Sequence, residues 1–471
     1  MSSLKPILWL GDSLARLRAA PADIRSDAGY QLDLVQRGET PADFKPMPDV
    51  GPGVMEIRLH GDNEFRVFYV ARFEERSAYE RSRMEPPQGF PKLPDLPLGR
   101  YTDPSFFELE QRYLWKRSWL YAAHDSELPG PGAYKLCDIA GAPVLLVRGD
   151  DGLVRAFYNS CRHRGAPVVR GECGTARLLS CQFHGWTYDL RGDLVRVPDE
   201  RDFVGLCREE RSLPPVRCEQ WGGWYFVNLD HEADPLLDWL EPLPQILSSV
   251  AAAPMRMFHT KSASVRCNWK ILAEGFLEVY HARTVHPTTV APTLTTRGTV
   301  ISLYDNGHQA MVSPVVAGTR GDGREALPYF DGAPPAMTEA NLQPAHGIFP
   351  NIITPLDGRG FPFLVFWPEA IDRTRLDIIW FVADWGDGDL PNKELWDRRL
   401  ARFDTLMDED YANLEPIQRS MEHAAHGGQV LNYQERRIWH VHAWIDKIIG
   451  TERVPAHLHV PDTLADWHDL P

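Results

Sequence analysis

Between Tyr134 and about Asn228 the apolar positions come in runs too short for helices, each closed by a turn signal. Val144 to Arg148 follows Gly141-Ala142-Pro143, a turn falls at Gly149-Asp150-Asp151-Gly152, and Val154 to Asn159 runs on from it. Tyr188 to Leu194 reads as a hairpin around Arg191-Gly192, and Trp224 to Leu229 closes the series. This pattern predicts a small antiparallel β domain with loops gathered at one end. After Asp234-Pro235 the pattern becomes mixed. Strands are expected at Phe258–Val265, Val300–Tyr304, Gln309–Val315, Ile348–Thr354, Phe361–Trp367 and Arg375–Ala383. Helical periods cover Ile271 to about His281, Asn392 to Ala424 with a kink or break at Pro416, and Gln434 to Ile449. Along Phe361–Trp367, the residues Phe361, Phe363, Val365 and Trp367 share one strand face, which is either core or the wall of an apolar pocket.

The first hundred residues differ from the rest. A short strand is expected at Ile7–Leu10, a helix from the N-cap Asp12 to Ala19, and a second from Pro21 to about Gln36. A hairpin follows over Val54–Leu59 and Phe65–Phe73. From Met84 to Leu98 prolines recur among few apolar residues, as in a semi-extended linker. Asp103 then caps a helix from Pro104 to Trp115. The expected division is an appendage over 1–75, a linker over 76–100, a leading helix over 101–118, the β domain over 119–232 and a mixed domain over 233–471. The fold class is therefore α+β. A chain of 471 residues has room for two or three cores.

Fifty basic against 65 acidic residues leave a formal charge of -15, which argues against nucleic acid or an anionic membrane as main partner. No apolar run is long enough to span a bilayer and no signal-peptide layout opens the chain, so a cytoplasmic location is expected. Seven scattered cysteines do not form a disulfide framework. Cys173, between Glu172 and Gly174, is expected in a loop.

Two of the cysteines belong to a pattern. Cys161-Arg162-His163-Arg164-Gly165 and Cys181-Gln182-Phe183-His184-Gly185-Trp186 each offer one thiolate and one imidazole. That mixture suits a Rieske [2Fe–2S] cluster, in which two His replace two Cys on one iron. Tetrahedral zinc is the alternative, but its usual spacings pair Cys with Cys and His with His. The stretch resembles the Rieske domain of bacterial non-heme iron oxygenases, down to His163-Arg164-Gly165 and Gly185-Trp186.

A second metal is suggested downstream. In Glu274-Gly-Phe-Leu-Glu278-Val-Tyr-His281-Ala-Arg-Thr-Val-His286-Pro287 two imidazoles lie five apart, too far for one unbroken helical face. His281 is thus expected on a last helical turn, with His286 just beyond it. Two His and one carboxylate would make the facial triad of oxygen-activating Fe(II). With Asn268-Trp269-Lys270 before it, this segment also resembles the oxygenase α (catalytic) subunits. So does Met407-Asp408-Glu409-Asp410-Tyr-Ala-Asn413-Leu-Glu415-Pro-Ile-Gln418, where the resemblance selects Asp410 as third ligand and Asp408 as runner-up. It also implies that Glu278 bridges an iron-ligand His and a cluster-ligand His of a neighbouring subunit. Glu at this place is commoner among relatives acting on quaternary amines than among those acting on aromatic rings. Gly275 stands where the family usually has Asn.

The resemblance implies a helix-grip catalytic domain around a central antiparallel sheet. It implies a Rieske cluster, a mononuclear Fe(II), and NAD(P)H acting indirectly through a reductase or ferredoxin. One electron would pass by His184 or His163, Glu278 and His281, between subunits arranged head to tail around a threefold, with or without a β subunit. The expected reaction is hydroxylation of an aromatic or apolar compound. The alternatives are oxidative N- or O-demethylation and, from another class, a Rieske electron carrier with no second iron. Finally, Trp9 to Arg18, Asp27 to Leu32, Lys45-Pro46-Met47-Pro48 and Phe65-Arg66-Val67 resemble a truncated RelE/HigB-type toxin. The similarity stops near Phe73, and acidic residues outnumber basic ones, so no RNA cleavage is expected from it.

Overall fold

A computed structural model of the chain describes residues 17–37, 42–46, 54–59, 65–70, 86–87, 89–316, 324–333, 337 and 342–467. It divides into two units, Met1–Pro87 and Gln88–Pro471.

In the first unit, helix α1 (Ala22–Arg37) precedes an antiparallel sheet of β1 (Phe44–Pro46), β2 (Val54–Leu59) and β3 (Phe65–Val70). Ile24, Ala28, Leu32 and Val35 recur at helical spacing and bury against one another with Ile57 and Leu59. The strand expected at Ile7–Leu10 lies outside the described residues.

The second unit holds both larger domains. Asp103 accepts from Ser105 N at 2.8 Å and starts α2 (Pro104–Leu109), which continues as a wider turn over Glu110–Trp115. Strands β4 (Leu120–His124), β5 (Ala133–Ile139), β6 (Ala142–Arg148), β7 (Val154–Tyr158) and β8 (Cys173–Thr175) follow. Next come the short β9 (Leu179–Ser180), β10 (Thr187–Tyr188) and β11 (Leu194–Arg196), then β12 (Pro215–Trp221) and β13 (Trp224–Asn228). One sheet runs β4-β13-β12-β7-β6-β5-β8 and a smaller one β9-β10-β11, with every pairing antiparallel. Cys173 lies in an edge strand rather than a loop, since its neighbours pair with Ala133–Lys135.

The mixed domain is a seven-stranded antiparallel sheet in the order β14-β20-β19-β18-β17-β16-β15. Its strands are β14 (Met255–Val265), β15 (Val300–Leu303), β16 (Gln309–Pro314), β17 (Leu342–Ile348), β18 (Ile352–Pro355), β19 (Phe361–Ala370) and β20 (Arg373–Ala383). The single strand expected over Ile348–Thr354 is instead a tight hairpin, turned at Phe349-Pro350-Asn351. Its helices include α3 (Trp269–Glu274), α4 (Ala282–Val285), α5 (Lys393–Glu422) and α6 (Arg436–Ile449). Helix α5 continues through Pro416, so of the kink or break expected there the break does not occur.

The two faces of this sheet have different partners. Phe361 and Phe363 share a face with Phe381 and pack on Tyr121 and Trp224 of the preceding domain. That face is core. On the other face Trp380 meets Trp396 and Phe403 of α5, and Phe366 meets Phe276 beyond α3. A single apolar cluster therefore spans both domains. A separate one surrounds Cys161 and Cys181.

Asn-Trp-Lys has a structural reason. Asn268 caps α3 by accepting from Lys270 N, and its own N–H donates to Gln418 of α5 at 2.9 Å. Lys270 Nζ reaches Glu110 at 2.7 and 2.9 Å, with both side chains enclosed. Helix α3 is thereby fixed between the leading helix and α5.

Candidate metal centres

The two Cys-His loops share one backbone. Cys161 N–H donates to Ala166 O and Gly165 N–H to Cys161 O, at 2.8 and 2.9 Å. In the second loop Cys181 N–H donates to Trp186 O and Gly185 N–H to Cys181 O, at the same two distances. Each glycine stands four residues after its cysteine with φ +75° and +72°, a left-handed conformation that favours glycine. Both cysteines are buried, while His163 is half-buried and His184 exposed. The two imidazoles meet with ring centroids 4.5 Å apart, and Trp186 stacks on His163 at 5.0 Å. Tyr188 OH lies 3.3 Å from Cys161 Sγ and accepts from Arg162 N–H. Asn159 Oδ1 accepts from the amides of Val168 and Val169, holding the end of the first loop. His163 Nδ1 is buried without a partner. Two buried sulfurs beneath two converging imidazoles, one with an unused nitrogen, fit a mixed-ligand [2Fe–2S] group.

The remaining five cysteines are free thiols. Burial pushes Cys137 up to about 11 and both Cys218 and Cys267 up to about 12, which disfavours a reactive thiolate at all three.

At the second centre the local structure departs from a continuous helix. Helix α3 ends at Glu274, with Gly275 as its C-cap. Glu278 then turns its carboxylate onto its own chain. Oε2 accepts from the amides of Tyr280 and His281, and Oε1 from Nδ1 of His281. His281 is the N-cap of α4 and His286 its C-cap, so a single turn of helix separates them. This brings two imidazoles five residues apart to ring centroids 5.1 Å from each other.

Asp410 closes the set from α5. Its Oδ1 is 3.0 Å from His286 Nε2 and 3.7 Å from His281 Nε2. Ligand atoms of the three side chains all lie within 4.8 Å of one another, the one such group among the described residues. Asp408 is exposed and outside the group. Glu409, which the sequence did not single out as a partner, accepts from His286 Nδ1 at 2.7 Å and from the Thr289 hydroxyl. Both imidazoles thus direct Nε2 inward and give Nδ1–H to a carboxylate, the arrangement that fixes a metal-ligating tautomer. Burial alone would lower the pKa of His286, but Asp410 and Glu409 hold it above its ordinary value. The donor set, two neutral nitrogens and one carboxylate, fits Fe(II) with open positions.

Behind this centre Arg100 Nε donates to His442 Nδ1 at 2.7 Å, and His442 Nε2–H to Glu274 Oε1 at 2.8 Å. Tyr101 OH donates to the same Glu274 oxygen at 2.7 Å. Burial pushes Glu274 up to about 8. None of the described helices is long and apolar enough to cross a membrane.

Comparison with known proteins adds three domain matches. Residues 118–214 match the Rieske [2Fe-2S] domain, and residues 253–451 match the ring hydroxylating alpha subunit (catalytic domain). Residues 15–79 match the phage derived protein Gp49-like family. The chain is 33% identical over 197 residues to the carnitine monooxygenase oxygenase subunit of Escherichia coli (strain K12), covering 41% of this chain and 52% of that one. It is 35% identical over 190 residues to the chlorobenzene dioxygenase subunit alpha of Cupriavidus sp. (strain PS12), covering 39% and 42%. The chain thus spans about half the length of the curated relatives it matches. A solved quaternary ammonium Rieske monooxygenase has the same fold, with TM-score 0.63 and 20% identity over 78% of this chain and 99% of that one.

Proposed function

From a chain that carries a Rieske [2Fe-2S] domain followed by the catalytic domain of ring-hydroxylating alpha subunits, we propose an oxygenase fed by a reductase or ferredoxin. One observation carries this reading: Nε2 of His281, Nε2 of His286 and a carboxylate oxygen of Asp410 converge within 4.8 Å. In the proposal Cys161, Cys181, His163 and His184 hold the cluster, and His281, His286 and Asp410 hold a single Fe(II). Bound iron would supply stored electrons at the first site and oxygen activation at the second.

The chain's own groups do the rest. Glu278 and Glu409 keep protons on the outer nitrogens of the two imidazoles, so their inner nitrogens stay free to ligate. Glu278 Oε1 has a second lone pair, enough to accept from an imidazole of a neighbouring copy. We assign Glu278 that bridging role, within a homotrimer or a multiple of three. NAD(P)H would act only through the reductase, in the cytoplasm.

The substrate proposed first is an aromatic or apolar small molecule, because Leu364, Phe366 and Phe276 stand on the helix side of the sheet. A second reading is oxidative demethylation of a quaternary amine. The glutamate at 278, together with a relative named carnitine monooxygenase, favours it. Residues 1–75 are proposed to be dispensable for either.

Total iron and turnover test the reading together. The purified chain should hold about three irons, two of them in the cluster. His281→Ala should retain the Rieske EPR signal, lose one iron and lose substrate-stimulated O₂ uptake. A chain lacking residues 1–75 should match the full one. Two irons per chain with full O₂ uptake would refute the second site, and loss of the EPR signal in His281→Ala would refute the ligand assignment.

A further inference from the structure

Four lysine and arginine side chains are buried among the described residues: Arg100, Lys270, Arg399 and Arg437. Three of them face a carboxylate. Arg100 meets Asp446 at 2.7 Å, Lys270 meets Glu110 at 2.7 Å and Arg399 meets Asp357 at 3.2 Å. Arg437, in the first turn of α6, is fully enclosed and has no carboxylate in ion-pair contact among the described residues. Its Nε and Nη2 both donate to one oxygen, Oε1 of Gln309, the former at 3.0 Å. Its Nη1 has no partner. A buried guanidinium hydrogen-bonded only to an amide is an expensive arrangement, because no carboxylate touches it and Glu278 acts on its charge only from a distance. Burial and the adjacent Arg436 push it down to about 9, against the pull of Glu278 and Tyr304.

Its position connects it with the second centre. Gln309 lies opposite Gly347 in the sheet, on the face that also carries Ile353, Leu364 and Phe366. A Cβ at Gly347 would overlap Gln309 Nε2, so the glycine makes room for the amide that grips Arg437. Phe366 in turn packs on Phe276, two residues before Glu278. The unpaired cation therefore stands on the same side of the sheet as His281, His286 and Asp410, within the electrostatic reach of Glu278.

We propose that Arg437, held by Gln309, is the anion-recognising end of the substrate pocket, and that the molecule oxidised is a small carboxylate. The inference rests on the oxygenase reading above and narrows its substrate class. A carboxylate would occupy Nη1 and supply the missing negative charge, as Asp446 does for Arg100. A neutral hydrocarbon would leave the charge uncompensated.

Calorimetric titration of the iron-loaded, full-length protein without oxygen tests this apart from turnover. Benzoate and γ-butyrobetaine are the carboxylate probes, with benzamide and choline as partners lacking the carboxylate. Arg437→Gln should weaken both carboxylates at least about tenfold and leave the other two within about twofold, while Arg437→Lys restores part of the loss. Gln309→Glu provides an internal carboxylate. It should raise the melting temperature whatever the role of Arg437, but it should also abolish carboxylate binding, a result that a merely structural Arg437 would not give. Wild-type affinity in both Arg437→Gln and Gln309→Glu, or no binding of either carboxylate to a wild-type chain holding three irons, overturns the proposal and leaves the oxygenase reading standing. A wild-type chain with only two irons would instead refute that reading, whatever the probes do.

Discussion

Replacing Glu409 by Gln separates the role of a partner from that of a ligand. In the structure Glu409 Oε2 accepts from His286 Nδ1 at 2.7 Å and from the hydroxyl of Thr289. Partial burial would raise its pKa, but Thr289, His286 and Arg402 together keep it below the ordinary carboxylate value. The glutamine has nearly the same shape and can still accept one hydrogen bond. It loses the charge that makes this bond strong and that holds the proton on Nδ1. Substitutions of such outer partners cost about 10- to 100-fold in metal affinity, or ~1.4–2.7 kcal/mol. The assay is a chelator competition for the single Fe(II), with the Rieske EPR signal as internal standard. Glu409→Gln should weaken iron binding within that range and leave the cluster untouched. The exposed Asp408, one residue earlier on the same helix, provides the control, and Asp408→Asn should change nothing. If Glu409→Gln binds iron within about twofold of wild type, the second carboxylate is not orienting His286 and the reasoning fails.

Two other outcomes follow from buried groups. Lys270→Met leaves Glu110 enclosed and unpaired and should cost about 3–5 kcal/mol in urea unfolding, whereas Lys270→Met with Glu110→Leu should recover most of it; equal losses in the two variants would contradict the pairing. His308 accepts from Phe349 N–H on Nδ1 and donates Nε2–H to Trp239 O, and burial pushes it down to about 4. Since the folded pKa lies below the unfolded value of about 6.5, its contribution is complete above that pH. It is lost as pH falls from about 6.5 towards 4, by up to about 1.4 kcal/mol per unit. His308→Asn should flatten that part of the stability profile, and an unchanged slope would assign the acid sensitivity elsewhere.

What could be read from the chain depended on how local each feature was. The Cys-His loops close within five residues through their own amides, so the mixture and spacing of their cysteines and histidines can be read directly from the chain. The second centre is not local. The apolar period continues past Glu274, which is why a helix was expected as far as His281. In the structure the carboxylate of Glu278 takes over the amides that a helical ladder would have used. Asp410 lies more than a hundred residues from His286, and only resemblance picked it out of three consecutive acids. Glu409 is not legible from spacing, because adjacent helical residues point about 100° apart and nothing in the chain marks one centre as needing both. Strand β17 gives little sign of itself, because Pro344 and Gly347 within Leu342–Ile348 suppress a strand signal and the turn at Phe349-Pro350 hides where it ends. Arg437 gave no sign at all, since an uncompensated charge is visible only once its surroundings are.

The aromatic seam of Tyr121 and Trp224 against Phe361 and Phe363 welds the larger domains into one block, while the tip bearing Cys161 and Cys181 keeps a small core of its own. Damage therefore need not spread. A copy stripped of its sulfur-bound iron could let that tip melt while the block beneath stays intact, passing for healthy in any assay of bulk shape. Colour, not compactness, is the measure by which a preparation of this protein should be judged.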